Sequence, residues 1–207
     1  MILGVDTSLP LLSVALVSNE GTVGAIAIQG RESRNEKLLP SVDWLLREAG
    51  AAISDIELFA VTRGPGSFTG VRIGLAMVQG LARAIDRPIC AMPTHEALAF
   101  VAEGRSRRVL VIADAGRGEL YASGFDACRP VLGPILLLPA ELERTAADYE
   151  LTLDAGLVLS EHNVALLAAR RAADLRSKGE LESRSDVTPI YVRLAEAEAR
   201  LQDAVRE

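Results

Sequence analysis

The chain has 207 residues, of which 49% are apolar and only 4% aromatic, and its formal net charge is −6. That length suits one large domain or two small lobes with an aliphatic, alanine-rich core, and the acidic balance argues against an autonomous basic surface for nucleic acid, although a partner could supply one. Cys90 and Cys128 have no metal or redox spacing and fit a reduced cytosolic setting. The chain starts at once with a strand-like run and holds no apolar stretch of about 18 residues, so neither a signal peptide nor a membrane span is expected.

In chain order, Ile2 to Val5 reads as a short buried strand ending in Asp6-Thr7-Ser8. Leu11 to Val17 and Thr22 to Ile28 read as two further strands around the turn signal Asn19-Glu20-Gly21, which makes a meander. Leu38, Leu39, Val42, Leu45, Leu46 and Ala49 recur at helical spacing, and Gly50 fits as the stop. Ile56 to Thr62 is a fourth strand. It leads into Arg63-Gly64-Pro65-Gly66-Ser67-Phe68-Thr69-Gly70, and a helix follows to Ala84 with Thr69 as its expected cap. Ile89 to Met92 is a strand, and Glu96 to Ala102 a helix.

The second half begins in a similar way. Val109 to Ala113 is a strand ending in Asp114-Ala115-Gly116, with Glu119 to Phe125 as its hairpin partner. The two acidic turns hold equivalent places, which suggests an internal duplication. Pro139 to Ala147 reads as a short helix, Leu157 to Leu159 as a short strand, and Asn163 to Arg176 as a basic-faced helix. Lys178 to Asp186 is a polar connector, Thr188 to Arg193 a strand or extended segment, and Leu194 to Val205 a charged final helix. Meanders followed by helices and strands indicate an α/β protein with two related lobes. The divisions expected are residues 1–103, 104–193 and the terminal helix 194–207.

The glycine-rich stretch is the central motif. Strand, glycine turn and helix can aim amides at an anion. Its spacing is GxGxxxG, however, and no Lys-Ser/Thr pair follows as in a phosphate loop. The candidate weak nucleotide or anion contacts are Asp6, Thr7, Ser8, Gly64, Gly66, Ser67 and Gly116. The alternative is that both aspartates shape turns by accepting backbone bonds, and this is the preferred reading. Gly70, Gly74 and Gly80 lie inside the following helix, where each costs roughly 1 kcal/mol against alanine, so a packing or binding reason is expected. A surface of Leu38, Leu39, Val42, Leu45, Leu46, Gly70, Val71, Gly74, Leu75 and Gly80 is either internal packing or a subunit interface.

The glycine stretch resembles the signature of the bacterial TsaB (YeaZ) family. So do Leu38-Leu39-Pro40, Asp114-Ala115-Gly116-Arg117-Gly118-Glu119-Leu120-Tyr121 and Pro189-Ile190-Tyr191-Val192-Arg193, in order along nearly the whole chain. Arg34 departs from the histidine that relatives often carry before Leu-Leu-Pro. The resemblance implies the two-lobed fold of the actin, hexokinase and sugar-kinase (ASKHA) superfamily. It implies a role in making threonylcarbamoyladenosine in transfer RNA, as a non-catalytic cytoplasmic subunit. The partners it implies are the metal- and nucleotide-binding paralogue TsaD and the ATPase TsaE, which supply the need for ATP and magnesium. It favours the helix-pair surface as an interface, shared between a homodimer of the free chain and the paralogue, with transfer RNA reached through the complex.

No catalytic or metal-ligating residue is assigned. The chain has two histidines, His95 and His162, too far apart for a helical metal pair. His95 is expected at a helix start or the surface and His162 in solvent. Arg170-Arg171 and Arg105 to Arg108 are read as solvated charge runs, without an aromatic to stack a base. The rival reading is an autonomous ATP-dependent small-molecule kinase or a peptidase, and a third is a self-associating structural protein.

Overall fold

The computed structural model describes residues 1–29, 34–182 and 187–193. The expected final helix lies outside them, as do residues 183–186 of the polar connector.

Strands β1 (Ile2–Asp6), β2 (Leu11–Ser18) and β3 (Gly21–Gln29) form the expected antiparallel meander. Helix α1 (Arg34–Glu48) then crosses to β4 (Leu58–Thr62), which lies parallel to β1. Helix α2 (Phe68–Ala84) leads to β5 (Ile89–Met92), parallel to β4. The first sheet has the order β3-β2-β1-β4-β5. Gly50 ends α1 as expected. It lies at φ 62, its amide reaches the Arg47 carbonyl, and the Ala51 amide reaches Leu46, which is a Schellman closure.

After the short α3 (Thr94–Ala99), the plan repeats. Strands β6 (Arg108–Gly116), β7 (Glu119–Asp126) and β8 (Arg129–Leu137) form a second meander, and β9 (Leu151–Asp154) pairs with β6 in parallel. The order β8-β7-β6-β9 repeats β3-β2-β1-β4 strand for strand, with the same parallel and antiparallel pairings. The internal duplication and the two-lobed actin, hexokinase and sugar-kinase architecture are therefore both present. Helix α4 (Leu142–Ala146) precedes β9, and α5 (Ala155–Glu161) and α6 (Val164–Ser177) follow it.

One expectation is corrected. Leu157–Leu159 is not a strand but part of α5, because Asp154 caps it by accepting from the Gly156 and Leu157 amides. The strands β8 and β9 were not foreseen. Thr188–Arg193, read as a strand or an extended segment, runs without a strand ladder.

Among the described residues three cores form, a small one around Leu110, Ile112, Ala122 and Leu137 of the second sheet and two larger ones. One packs α1 and α2 on the outer face of the first sheet and includes Leu38, Val42, Leu45, Val71, Leu75 and Val78. The other lies between the sheets. Ile2, Leu58 and Ala60 of the first sheet and Val109, Val111 and Phe125 of the second enclose α3 and α6. Helix α6 belongs to the second half in sequence but packs on β1, β2 and β4 of the first sheet.

Candidate functional site: the cleft between the two lobes

The carboxyl ends of β1 and β4 meet at Asp6 and Thr62, as parallel pairing of these strands requires. Asp6 is fully buried. Its Oδ1 accepts from the Ser8 amide at 3.1 Å, from Ser8 Oγ at 2.5 Å and from Thr62 Oγ1 at 2.5 Å. Thr94 Oγ1 donates to Ser8 Oγ at 2.9 Å, which ties α3 to the same knot. This is the turn-shaping arrangement preferred from the sequence, with Thr62 and Thr94 as members that the sequence did not single out.

The glycine turn wraps closely on Asp6-Thr7-Ser8. The Ser67 amide donates to the Ser8 carbonyl at 2.7 Å, and a Cβ on Gly66 would stand 2.3 Å from that oxygen. Thr7 Oγ1 donates to the Gly70 carbonyl at 2.7 Å, and a Cβ on Gly74 would meet Thr7 Oγ1 at 2.3 Å. Gly74, with no side chain, and Gly70, through its carbonyl, thus let α2 settle on the first acidic turn, a packing reason for both within the chain. The cap of α2 is Ser67, not Thr69, since Ser67 Oγ accepts from the Gly70 amide at 3.2 Å. The amides of Ser67, Gly70 and Val71 are therefore all engaged inside the chain.

Across the cleft, Asp114 Oδ1 accepts from the Gly116 amide at 2.7 Å, at a bulge where Gly116 has φ 72 and Arg117 φ 59. Between the two turns lies a cavity of about 710 Å³ lined by Ser8, Gly66, Ser67, Asp114, Gly116 and Tyr121 among others. Of the candidate contacts, Ser8, Gly66, Ser67 and Gly116 line this cavity. Asp6 and Thr7 are buried behind it, and Gly64 lies under the 187–193 segment, 2.7 Å from the Ile190 carbonyl measured from its would-be Cβ.

The helix-pair surface divides. Leu38, Val42, Leu45, Leu46, Val71 and Leu75 are buried in the chain's own core, as are Gly70 and Gly74. Leu39 at 52% exposure, Trp44 at 49% and Gly80, whose Cβ would meet nothing within 4 Å, are open to solvent.

His95 opens α3, as expected, but is buried rather than at the surface. Its Nδ1 pairs with Ser123 Oγ at 2.8 Å, while Nε2 has no hydrogen-bond partner among the described residues. Burial pushes the imidazole pKa down to about 3, so the ring is neutral near pH 7. His162 is exposed, as expected. Among the described residues, no group of three or more His, Cys, Asp and Glu could hold a metal ion.

The two basic runs differ. Arg107 is exposed and pairs with Asp126 at 2.7 Å. Arg171, read as solvated, is instead 5% exposed. Its guanidinium pairs with Glu96 at 3.1 Å and Asp174 at 2.8 Å, and Nη2 donates to the Cys128 carbonyl. Adjacent positions on a helix point about 100° apart, so Arg170 stays outside while Arg171 turns in towards α3. Cys90 and Cys128 are buried free thiols, and desolvation pushes Cys90 up to about 12. Among the described residues, no helix is long and apolar enough to cross a membrane.

The chain is similar to known proteins in sequence and fold. The family model described as TsaD: tRNA N6-adenosine threonylcarbamoyltransferase matches residues 27–148. A relative from Escherichia coli (strain K12), named tRNA threonylcarbamoyladenosine biosynthesis protein TsaB, is 32% identical over 93% of this chain and 94% of its own. A relative of the same name from Bacillus subtilis (strain 168) is 30% identical over 96% of each. The solved structure of YeaZ from Pseudomonas aeruginosa aligns with a TM-score of 0.74 and 30% identity, covering 92% of this chain and 98% of that one.

Proposed function

Because the chain belongs to the TsaB family, we propose that it serves tRNA threonylcarbamoyladenosine synthesis as a non-catalytic subunit that supports a TsaD-type catalytic partner. The role in threonylcarbamoyladenosine synthesis rests on end-to-end similarity to proteins bearing that name.

The non-catalytic part rests chiefly on Asp6. An aspartate in this position of a kinase-like lobe would hold magnesium or activate an attacking oxygen. Here one carboxylate oxygen accepts three bonds from Ser8 and Thr62, and the residue is buried. Ser8 in turn is packed against Gly66, where a phosphate-binding turn would leave room. Such a site supports a folded lobe better than it supports chemistry.

In this reading the partner supplies the metal and nucleotide chemistry, and a TsaE-type ATPase joins the pair, so ATP and magnesium are requirements of the assembly. The partner meets the exposed part of α1 and α2, with Leu39, Trp44 and Gly80, which the buried ridge from Leu38 to Leu75 supports from beneath. A homodimer of the free chain would use the same face and compete. Transfer RNA is reached through the complex, in the cytoplasm. A subunit that binds only the productive state of its partner raises that state's population by its differential affinity.

The rival is an autonomous phosphoryl-transfer enzyme, which the cavity of about 710 Å³ between the two acidic turns favours. Reconstitution of threonylcarbamoyl transfer separates the two, with ATP and magnesium in every arm and the catalytic subunit limiting. Omission of this chain should abolish or sharply reduce product, while the chain alone should show no transfer and no ATP hydrolysis above background. Equal yield without it would reject the supporting role. ATP turnover by the chain alone, lost in a folded Asp6→Ala variant, would establish the rival.

A further inference from the structure

Residues 187–193 cross from one lobe to the other, and each end has its own attachment. On the first lobe, Gln79 Nε2 donates to the Val187 carbonyl at 2.9 Å and the Ile190 amide donates to the Arg63 carbonyl at 2.7 Å. Val187 enters the core beneath α2. The Tyr191 ring stacks on Phe68 at 4.8 Å, its hydroxyl accepts from Arg72 Nε at 2.7 Å, and the Arg72 guanidinium lies 3.7 Å over the Phe68 ring. On the second lobe, Arg193 donates to the Ala115 carbonyl at 3.3 Å and forms an ion pair with Glu119. Both acceptors belong to the β6–β7 hairpin. Between these attachments the segment closes one side of a cavity of about 500 Å³, whose other walls include Gly66, Phe68, Gly116 and Tyr121.

We infer that residues 187–193 are an interlobe strap, latched by Arg193 on the β6–β7 hairpin and seated by Tyr191 on α2, which sets the width of the cleft between the two acidic turns. Two observations carry this independently of each other. Gly64 has φ 96 and its would-be Cβ stands 2.7 Å from the Ile190 carbonyl, so the glycine turn is shaped to let the strap lie on it. The Arg193 attachment reaches the very hairpin, Ala115 to Glu119, that forms the second wall of the cleft. Arg72 and Gln79 lie on α2. On the partner-face reading given above, and resting on it, the strap therefore transmits contact at α2 to the cleft. The latch itself follows from the fold alone.

The test uses the full chain without partner, so its result is independent of the proposed function. Spin labels at Asn19→Cys on the first lobe and Asp148→Cys on the second, both exposed positions, report the interlobe distance. The native cysteines are buried. The parent should give one narrow distribution. Arg193→Ala and Glu119→Gln should each widen it, and the exchanged pair Arg193→Glu with Glu119→Arg should narrow it again. The Ile190 amide should stay protected from hydrogen exchange in all of these, because its acceptor is on the first lobe. An unchanged distribution in both single variants, or a widening that the exchanged pair does not reverse, overturns the latch. Loss of Ile190 protection in Arg193→Ala also overturns it, since the strap would then detach as one piece.

Discussion

Asp6 Oδ1 accepts from Ser8 of the same turn and from Thr62 of β4 at once, and so holds the first acidic turn. Hydrogen bonds to a charged acceptor are worth more than neutral ones, and stranding their buried donors costs more again. Asp6→Ala should therefore lower stability by about 2–4 kcal/mol, read as a fall in urea midpoint with an unchanged slope. A change within error would show that the knot is not what holds the turn. His95 makes the opposite kind of prediction, about pH. Its folded pKa, about 3, lies below the ordinary histidine value because burial disfavours the charged ring. The unfolded chain then takes the proton first. The stabilisation is fully present above the unfolded pKa, near 6.5, and is lost as pH falls from there towards 3. Between pH 7 and pH 5 the histidine should cost the fold about 2 kcal/mol. The measurement is the pH dependence of unfolding free energy in the parent against His95→Gln. Parallel curves would show that His95 is not the titrating group.

At the scale of single elements, α2 carries three glycines with different duties. A side chain at Gly74 must displace Thr7, which is itself bonded to Gly70. Overpacking of this kind typically costs about 1–3 kcal/mol, so Gly74→Leu should unfold at clearly lower denaturant. Gly80 faces open space, and Gly80→Ala should be neutral or stabilise the chain by up to about 1 kcal/mol. Gly80→Arg should keep the fold yet weaken association, read by sedimentation with and without the catalytic partner. If Gly80→Arg and Trp44→Ala both leave association intact, the outer face of α1 and α2 is not the partner surface.

The same helices show what the residues alone could reveal. Leu38, Val42 and Leu45 repeat at helical spacing, so α1 was legible, and so was its stop at Gly50. The glycines of α2 announced a close approach, but not that Thr7 was the thing approached, because that depends on β1 and β4 lying side by side. Strand β8 was hidden by Pro130, Gly133 and Pro134, residues that break an inner strand yet suit this one, which is an edge. Leu157–Leu159 is a short apolar run whose period decides nothing, and the Asp154 cap settled it as helix. The buried state of Arg171 was invisible because its partner Glu96 lies 75 residues away.

For the whole molecule, the decisive feature is that the second half of the chain returns to the first sheet. Helix α6 rests on β1, β2 and β4, and it does so because β1 carries Gly4 where a side chain would collide with backbone. A Cβ there would stand 2.1 Å from the Ala165 carbonyl oxygen. Ser13 Oγ accepts from the Ala165 amide at 3.1 Å, and Asn163 reaches the Ile26 carbonyl at 2.8 Å, so the seat is fixed by bonds from β2 and β3 as well. The core between the sheets is therefore shared, and neither lobe completes it alone. This predicts one cooperative unfolding transition for both lobes. Fluorescence of Trp44, on the outer face of the first lobe, and far-ultraviolet dichroism of the whole chain should give coincident curves. It also predicts that Gly4→Ala, a single methyl group, lowers stability by more than about 3 kcal/mol, because the obstacle is backbone that cannot rotate away. A fragment of residues 1–103 should for the same reason fail to fold by itself, with Leu3, Val5 and Phe59 packed on one side of the sheet but Ile2, Leu58 and Ala60 uncovered on the other. Two separated transitions, or a Gly4→Ala variant as stable as the parent, would mean that α6 is an accessory to the first sheet rather than part of its core.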